Sequence, residues 1–436
     1  LIFEPFVNLF HINPNIHMAK PKYSSHVGMV DILPDESPKW RALENIIHEE
    51  AAKFNFEEIR TPIMEQTELI VRGIGQLTDI VSKEIFAFQK GDSHYVLRPE
   101  LTAPVVRAFV EHHLEQRGGS QKLYYIGPMF RAEKPQKGRQ RQFHQFGAEV
   151  IGSDDPVADV EIIALMIRVY QRVGIDNFEL KLNSVGDPES REAYKEALKS
   201  FLKPNLDKMS DLSQKRFEKN PMRILDSKEP EDQEFIQKAP VIQDYLNEES
   251  TEHFEKVKEY LGQLGINYTL DPHLVRGMDY YTRTAFELIS PDLGSQDALA
   301  GGGRYDLLVE EIGGQPTPAV GFAAGMERLM IACEELDIKL AEEKTVDVYF
   351  VTLGDVARTW ALTHLPKARE AGLSATMDYK GRSMKAQMKD ADRENSRYTI
   401  IIGDNELEEG KFTLRNMKES EELSLTFDEI LAKLGK

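Results

Sequence analysis

The spacing of apolar residues along the first two thirds of the chain changes repeatedly between helical and strand-like patterns. Apolar residues recur at helical spacing over Trp40–Phe54, Thr102–His112 and Asp155–Val173. Short apolar runs predict strands at Glu58–Ile63, Tyr95–Pro99, Leu123–Gly127, Phe143–Val150 and Ala285–Ile289. The third and fourth of these strands flank a polar loop and therefore predict a long antiparallel hairpin.

Further along, the pattern indicates three more regions. Residues 187–260 are charged, favour helices and are poor in strand signals, which indicates a helical insertion. Gly321–Ala332 predicts an apolar helix interrupted by glycine, and the polar residues 334–344 predict a linker. Short strands alternating with helical segments then predict a small α/β domain, its strands being Val346–Leu353, Ala375–Tyr379 and Tyr398–Ile402.

Composition narrows the possible classes of protein. A chain of 436 residues is long enough for two or three domains, and no apolar run approaches the roughly 20 residues that span a bilayer. The single cysteine, Cys333, excludes an internal disulfide framework and favours a reducing, cytoplasmic compartment. A net charge of −19 argues against nonspecific binding of nucleic acid, although a local basic patch could still contact RNA.

The first 17 residues are apolar and lack the basic residues of a secretory signal. Met18 looks like a natural start, so we interpret residues 1–17 as an upstream extension.

Four segments carry residues suited to binding phosphate or a small polar ligand. The hairpin loop from Phe130 to Arg141 holds five cations and one anion, which suits a polyphosphate or a nucleic-acid backbone but also a solvated hairpin tip. His273–Thr282 places an arginine, a carboxylate and two phenols beside Gly277, and could equally be an aromatic strand edge. Ala300–Asp306 contains a glycine triplet, which indicates either close ligand approach or a flexible loop. Gly321–Leu329 combines small residues with Arg328, a pattern also typical of tight helix packing.

The glycine-rich phosphate loops of the common nucleotide-binding folds are missing from the sequence. A phosphate ligand would therefore have to be held by arginines and a metal ion.

Taken together and in this order, the segments resemble those of class II aminoacyl-tRNA synthetases from about Met18 onward. Glu58–Pro62 resembles the dimer motif, Phe130–Glu133 with its loop the second motif, and Gly321–Leu329 the third. Leu274–Tyr281, Ala300–Asp306 and Arg141–Gln145 are similar to signatures of the histidyl-tRNA synthetase family.

The resemblance implies that ATP and L-histidine meet at a set of arginines. Arg131 would hold the α-phosphate and the histidine carboxylate, Arg276 would replace a metal ion beside that phosphate, and Arg328 would bind the γ-phosphate. Phe143 would stack on adenine, with Glu133 and Arg139 also near the nucleotide. Mg²⁺ would bridge the outer phosphates, with no dedicated protein metal site.

For histidine, the resemblance assigns Glu100, Thr102 and Gln145 to the α-amino group and Glu149 and Tyr281 to the imidazole. Tyr280 would also contact histidine, and Tyr305 would close the pocket. Leu101 stands where many bacterial members have glycine, which questions the backbone between Glu100 and Thr102.

The implied fold is α+β. An antiparallel six-stranded catalytic sheet with flanking helices would occupy 18–186 and 261–333, interrupted by the helical insertion at 187–260. A linker at 334–345 would lead to a C-terminal α/β anticodon-binding domain at 346–436. In that domain a basic surface is expected to contact histidine tRNA, its candidate residues being Lys380, Arg382, Lys385, Lys389 and Arg393.

The resemblance thus implies a cytoplasmic homodimer that acts as a histidine–tRNA ligase. Two rival classes are a regulatory paralogue from histidine biosynthesis and a pseudo-synthetase module. The paralogue lacks the anticodon domain and usually the arginine signature, and a pseudo-synthetase would have lost motif arginines, whereas this chain retains all of these features.

Overall fold

A computed structural model describes residues 21–75, 78, 80–291, 298–342 and 344–435 of the chain. Contacts divide the chain between Leu340 and Ala341 into a larger N-terminal unit and a smaller C-terminal unit. The proposed extension at residues 1–17 lies outside the described residues. Within the described ranges, no helix combines the length and apolar content needed to cross a bilayer.

Two sheets form the framework of the N-terminal unit. Its strands are β1 Glu57–Glu58, β2 Met64–Gln66, β3 Phe86–Lys90, β4 Ser93–Leu97, β5 Gln121–Phe130, β6 Gln142–Ile151, β7 Glu179–Ser184, β8 Thr269–Leu270, β9 Thr282–Ile289, β10 Ala298–Arg304 and β11 Ala319–Gly325. The large sheet has the order β1-β5-β6-β11-β10-β9-β7-β8, and a small sheet has the order β2-β4-β3. The six inner strands of the large sheet pair antiparallel, as expected, and β1 and β8 add short parallel edges.

Helices surround this sheet. They are α1 Ser37–Lys53, α2 Thr67–Ile74, α3 Thr102–Glu111, α4 Pro156–Val173, α5 Pro188–Leu202, α6 Asp211–Lys219, α7 Pro230–Gln237, α8 Glu248–Gln263, α9 Leu308–Glu311 and α10 Met326–Glu335, with a π-helical turn at Ile80–Glu84 and 3-10 turns at Leu114–Arg117, Lys203–Lys208, Pro221–Ile224 and Ile242–Tyr245. Helix α4 shows why such elements start and stop where they do. The Asp155 side chain accepts a hydrogen bond from the Val157 amide, Pro156 opens the first turn, and Gly174 ends the helix at a φ of 101°.

Strand β6 shows how the sheet separates its core from its functional face. Side chains alternate between the two faces of a strand. Phe146, Ala148 and Val150 pack into the apolar core that also contains α1, α4, α8 and α10. Gln145 and Glu149 alternate with these residues along the strand and therefore point to the opposite face.

The C-terminal unit is a mixed sheet with helices. Its elements are β12 Val346–Thr352, α11 Asp355–Glu370, β13 Ala375–Met377, α12 Met384–Arg393, β14 Ser396–Ile402, α13 Asp404–Glu409, β15 Phe412–Asn416, β16 Glu422–Leu425 and α14 Phe427–Leu434. The order is β13-β12-β14-β15-β16, parallel across the first three strands and antiparallel across the rest. The three predicted strands are confirmed as β12, β13 and β14.

Most of the predicted elements of the N-terminal unit are also confirmed, including the long hairpin, in which β5 and β6 pair along their whole lengths. Two predictions are wrong. Glu58–Ile63 is not a continuous strand, because β1 ends at Glu58 and β2 begins at Met64. Gly321–Ala332 is not one helix, because its first residues complete β11 and α10 starts only at Met326 and continues to Glu335, inside the predicted linker.

Candidate active site

An open cleft of about 460 Å³ lies against the functional face of the large sheet. Most side chains singled out in the sequence line it: Glu100, Thr102, Arg131, Glu133, Arg139, Phe143, Gln145, Arg276, Tyr280, Tyr281 and Arg328. The remaining two, Glu149 and Tyr305, are 0% and 1% exposed and lie behind the cleft wall. Folding therefore gathers residues that are more than 200 positions apart in the sequence.

Arg131 stands at the end of β5. Its Nε donates to the Pro99 carbonyl at 3.0 Å, and its guanidinium carbon lies 5.2 Å from the ring centroid of Phe143. Its backbone amide bonds to the Arg141 carbonyl at 2.9 Å, which closes the base of the hairpin loop. The remaining N–H donors of the guanidinium are thus presented from a fixed position.

Arg276 lies above β10. Its Nη1 donates to Glu287 Oε1 on β9 at 2.9 Å, and its side chain is 16% exposed. A Cβ atom on Gly301 would come within 2.2 Å of Arg276 Nη2. The guanidinium therefore rests directly on the strand backbone, in space that only glycine leaves open.

Arg328 also lines the cleft and stands in the first turn of α10. Its Nη1 donates to the Ala298 carbonyl at 2.7 Å. The preceding residue, Glu327, accepts hydrogen bonds from the His144 amide at 2.8 Å and from the His144 ring at 3.0 Å. These contacts join the start of α10 to strand β6.

Glu149 is enclosed by hydroxyl groups. Thr102 Oγ1 and Tyr125 Oη donate to its Oε1 at 2.9 and 3.1 Å, and the Tyr305 hydroxyl donates to its Oε2. Burial raises the pKa of Glu149 to about 8, with the nearby Glu100 adding to the rise, while the hydroxyls of Tyr305, Thr102 and Tyr125 act to lower it. A Cβ on Gly321 would overlap the Glu149 carboxylate at 1.5 Å, so the carboxylate also needs a glycine beside it.

Glu100 stands two residues before α3, the helix that Thr102 begins. Its carboxylate accepts hydrogen bonds from the amides of Thr102 and Ala103 at 2.7 and 2.9 Å, and burial raises its pKa. Leu101 has a φ of −116°, which any residue adopts, and its side chain packs in the apolar cluster behind the cleft. Leucine therefore replaces glycine at this position without backbone strain.

The phenol groups of Tyr280, Tyr281 and Tyr305 stay neutral. Burial raises the pKa of Tyr280 and of Tyr305 well above that of free tyrosine, and raises that of Tyr281. The ring of Tyr280 lies 4.7 Å from that of Tyr281 and 5.6 Å from that of Tyr305. Each phenol remains able to donate a hydrogen bond at physiological pH.

Some of the cationic side chains of the basic hairpin loop lie at the cleft, and others lie outside it. Arg139 lines the cleft and lies 3.5 Å from Glu133, whereas Lys137 pairs with Glu335 at 2.6 Å outside it. The backbone amide of Arg141 donates to the Gly28 carbonyl at 2.7 Å. The loop is therefore anchored at its base and by its side chains.

Several residues of the site were not singled out in the sequence. Glu287 and Glu327 hold the neighbouring arginine and histidine, and Tyr125 bonds to Glu149 from within β5. Arg216, Arg223 and Asp226 come from the helical insertion. Only Glu327 carried a usable signal, because it stands beside Arg328 in a segment already singled out.

Six of the residues that line the cleft are arginines, and six are acidic. No group of three or more histidine, cysteine or acidic side chains suited to hold a metal ion occurs in the described parts of the chain. Arginines from three separate elements instead face a common space. This arrangement can hold a polyanion by preorganised charge, with a small polar pocket beside it.

Comparisons with known proteins give a consistent result. Residues 28–329 match the family model described as histidyl-tRNA synthetase, and residues 347–436 match the one described as anticodon binding domain. The histidine–tRNA ligase of Chloroherpeton thalassium is 48% identical over 417 residues, which cover 95% of this chain and 98% of the relative. That of Bacillus subtilis is 46% identical over 414 residues, covering 94% and 97%.

Solved structures agree. The apo histidyl-tRNA synthetase of S. aureus superposes with a TM-score of 0.80 at 41% identity, covering 96% of this chain and all of that one. A protein from Bacillus halodurans titled ATP phosphoribosyltransferase regulatory subunit/histidyl-tRNA synthetase gives a TM-score of 0.64 at 24% identity, covering 88% of this chain and 99% of that one, which shows a shared fold.

Proposed function

The chain belongs to the histidyl-tRNA synthetase family, and we propose that its cleft forms histidyl-adenylate between Arg131 and Arg276. Family membership gives the activity of a histidine–tRNA ligase, a class II aminoacyl-tRNA synthetase that uses ATP. The observation that carries the site assignment is the placement of these two guanidiniums on one face of the sheet. Arg131 lies over Phe143 on β6 and Arg276 over Gly301 on β10, and both guanidiniums line the same cleft.

A phosphate group between the two arginines would be contacted from both sides. In the reaction, a carboxylate oxygen of histidine attacks the α-phosphorus of ATP, and the bond from that phosphorus to the bridging oxygen breaks as pyrophosphate leaves. Negative charge builds on the oxygens around phosphorus, so fixed cations lower the barrier without any proton transfer. The hydrogen bonds from Arg131 to Pro99 and from Arg276 to Glu287 hold both cations in place before ATP arrives.

We assign the remaining nucleotide contacts to four other residues of the cleft. Phe143 would stack on adenine, Arg328 would bind the γ-phosphate, and Glu133 and Arg139 would flank the nucleotide. All four line the cleft. Pairing of Arg139 with Glu133 at 3.5 Å would loosen when phosphate competes for the guanidinium.

Histidine would lie next to this site, over the Glu149 pocket. Glu100, Thr102 and Gln145 would bind its α-amino group, and Glu149 and Tyr281 would bind its two ring nitrogens, with Tyr280 and Tyr305 closing the pocket. Glu149 is already saturated by three hydroxyls, so an imidazole N–H would replace one of these donors. A site with such buried polar groups rejects side chains that cannot pair with them.

Mg²⁺ would accompany the nucleotide rather than occupy a cage of its own. Glu287 and Glu327 are carboxylates that line the cleft, and one or two carboxylates with substrate phosphates is the usual protein share of a Mg²⁺ site. The ion would neutralise charge on the outer phosphates.

The C-terminal unit matches the anticodon-binding family and supplies contacts to tRNA. Within the predicted basic face, Arg382 is bound to Asp378 and Asp390, and Arg393 also pairs with Asp390. Lys380, Lys385 and Lys389 are exposed on and before α12. These lysines are therefore our primary candidates for contacts with RNA phosphates.

A homodimer is proposed on two observations. Glu58–Pro62 resembles the dimer motif of the class, and apolar side chains next to it, Ile63 and Met64, are 44% and 45% exposed. Tyr23, Val27 and Val30 add further exposed apolar area on the described chain. Sedimentation of the protein should give twice the mass of one chain. A cytoplasmic location follows from the tRNA substrate and would be tested by cell fractionation.

One pair of assays tests the function. ATP–pyrophosphate exchange should depend on histidine and on no other amino acid, and aminoacylation should charge histidine tRNA. Exchange that is absent, or that another amino acid supports equally, would contradict the proposed adenylation site.

A further inference from the structure

The segment that carries Arg276, Tyr280 and Tyr281 has no regular secondary structure. It runs from the end of β8 at Leu270 to the start of β9 at Thr282 as turns and irregular backbone. Irregular backbone is fixed only where other groups satisfy its polar atoms and pack against its side chains. The precision of the site therefore depends on what holds this segment.

The helical insertion supplies the main polar contacts to the segment. From α5, Arg191 Nη1 donates to the Tyr281 carbonyl at 2.9 Å and to the Asp279 carbonyl at 3.4 Å. After α6, Asn220 Nδ2 donates to Asp279 Oδ1 at 3.0 Å. Residues of the insertion at 187–260 thus donate hydrogen bonds to three acceptors of Asp279 and Tyr281, namely two backbone carbonyls and one carboxylate oxygen.

Apolar packing fixes the same elements to each other. One buried cluster contains Tyr280 and Tyr281 together with Tyr194 and Leu198 from α5. Met222, two residues after Asn220, belongs to the same cluster. Tyr194 is 0% exposed, and its hydroxyl donates to the Pro240 carbonyl at 2.8 Å. Helix α5 therefore presents Arg191 from a rigid support.

Asp279 is also held from the opposite side. Its amide donates to the Ile74 carbonyl at 3.1 Å, at the end of α2. A Cβ on Gly75 would approach Asp279 Oδ2 within 2.6 Å. The segment is thus held between the insertion and the first part of the catalytic unit, so its position depends on both.

We propose that Arg191 of the helical insertion is a positioning residue for the histidine pocket, which it shapes by fixing the backbone of Asp279 and Tyr281. The inference rests on the proposed function, since it assumes that Tyr281 contacts histidine. Arg191 itself does not line the main cleft. It acts through the segment, and its loss frees Tyr281 and leaves two backbone carbonyls without their donor.

The effect should be specific to one substrate. Arg276 shares the segment, but Glu287 on β9 holds its guanidinium at 2.9 Å, and the two carbonyls that Arg191 holds lie three and five residues further on. The other nucleotide contacts proposed above, Phe143, Arg139 and Arg328, lie on other elements and have no hydrogen bond to Arg191 in the described chain. Displacement of a binding group by about 1 Å can reduce rates by about 100-fold. Histidine binding should therefore weaken while ATP binding persists, whereas a general loss of folding would affect both.

The experiment compares Arg191→Ala and Arg191→Lys with Lys199→Ala, a partly exposed control on the same helix whose Nζ lies 3.8 Å from Glu196. Pyrophosphate exchange is measured with histidine and ATP varied in turn, together with the thermal midpoint. We expect Arg191→Ala to raise the KM for histidine at least about tenfold with the KM for ATP within about twofold of wild type. Arg191→Lys should recover part of the loss, because its ammonium can reach one of the two carbonyls, and Lys199→Ala should match wild type.

An unchanged KM for histidine in Arg191→Ala would overturn the proposal, as would equal increases in both KM values. If Arg191→Ala does not fold, Arg191→Lys and Asn220→Ser decide the question. Both should raise the KM for histidine alone, and wild-type values in both would overturn the proposal. Wild-type enzyme without histidine-dependent exchange would instead contradict the proposed function, so the two failures are distinguishable.

Discussion

Replacing Glu149 by glutamine should stabilise the ligand-free protein increasingly as the pH rises. The carboxyl group is 0% exposed, and its pKa is raised from 4.5 to about 8. In the folded protein it keeps its proton near neutral pH, whereas in the unfolded chain it loses the proton above about pH 4.5. The wild-type protein therefore carries a penalty that grows between these two pKa values, and glutamine, which does not ionise, avoids it.

The size and sign of this effect follow from proton linkage. Between about pH 5.5 and 7.5 the folded state of the wild type binds one more proton than the unfolded state, so its free energy of unfolding falls by about 1.4 kcal/mol per pH unit. The contribution is fully present below the unfolded pKa and is lost as pH rises toward the folded pKa. For a unit of roughly 300 residues, this corresponds to about 2 °C in thermal midpoint per pH unit.

Calorimetry of wild type and Glu149→Gln at pH 5.5, 6.5 and 7.5 measures this difference directly. Glu50→Gln is the matched control. Burial acts to raise the pKa of Glu50, but hydrogen bonds from Lys53 and Arg172 outweigh it and hold that pKa below its usual value. Its difference from wild type should therefore stay flat over this range. A Glu149→Gln difference that does not grow with pH would refute the protonated state of Glu149.

The same variant tests the assignment of Glu149 to the imidazole ring. Glutamine retains the shape of the side chain but cannot ionise when the imidazole binds, so a hydrogen bond between the ring and a charged carboxylate, which contributes about 1.5–3 kcal/mol, is lost. We expect the KM for histidine in pyrophosphate exchange to rise roughly 10-fold to 100-fold, with the KM for ATP unchanged. Equal increases for both substrates would show that Glu149 does not read the ring.

Three further predictions concern the arginines, the glycines and the C-terminal unit. Arg276→Ala should reduce pyrophosphate exchange at least about 100-fold while circular dichroism stays native, and near-normal exchange would contradict its role. Gly301→Ala should have a similar effect because its methyl group displaces Arg276, whereas Gly262→Ala, where nothing lies within 4 Å of the new Cβ, should be silent; equal activity of the two variants would argue against the contact. Ending the chain before Val346 should abolish charging of histidine tRNA and preserve histidine activation, and unchanged charging would show that the C-terminal unit does not bind RNA.

Local patterns in the sequence predict the elements in which polar residues recur between apolar ones. The β5–β6 hairpin and helix α4 were predicted because their apolar and polar residues alternate with the period of the element. Strand β11 was mistaken for the start of a helix because Ala319–Phe322 is buried on both faces, so its sequence shows no alternation. A run of small apolar residues does not distinguish a central strand from a packed helix.

The site could be predicted only where its residues stand in recognisable segments. Arg131, Arg276 and Arg328 were found through the family resemblance, and folding places all three in one cleft. The contacts of Arg191 and Asn220 could not be found this way, because they join residues about 60 to 90 positions apart, and those of Arg191 end on backbone carbonyls that carry no sequence signal. Tertiary packing alone creates them.

The contacts of the glycines in the central strands explain why glycine recurs in the segments that were singled out from the sequence. Glycine within a strand costs about 0.5–1 kcal/mol relative to alanine, so its presence at the centre of a sheet requires a compensating use. In β10, Gly301 makes room for the Arg276 guanidinium, and in β11, Gly321 makes room for the Glu149 carboxylate. In β6, a Cβ on Gly147 would come within 2.4 Å of the Tyr125 hydroxyl. Each of three adjacent strands thus lacks a side chain at one position, and a charged or polar group from a neighbouring element lies against its backbone there.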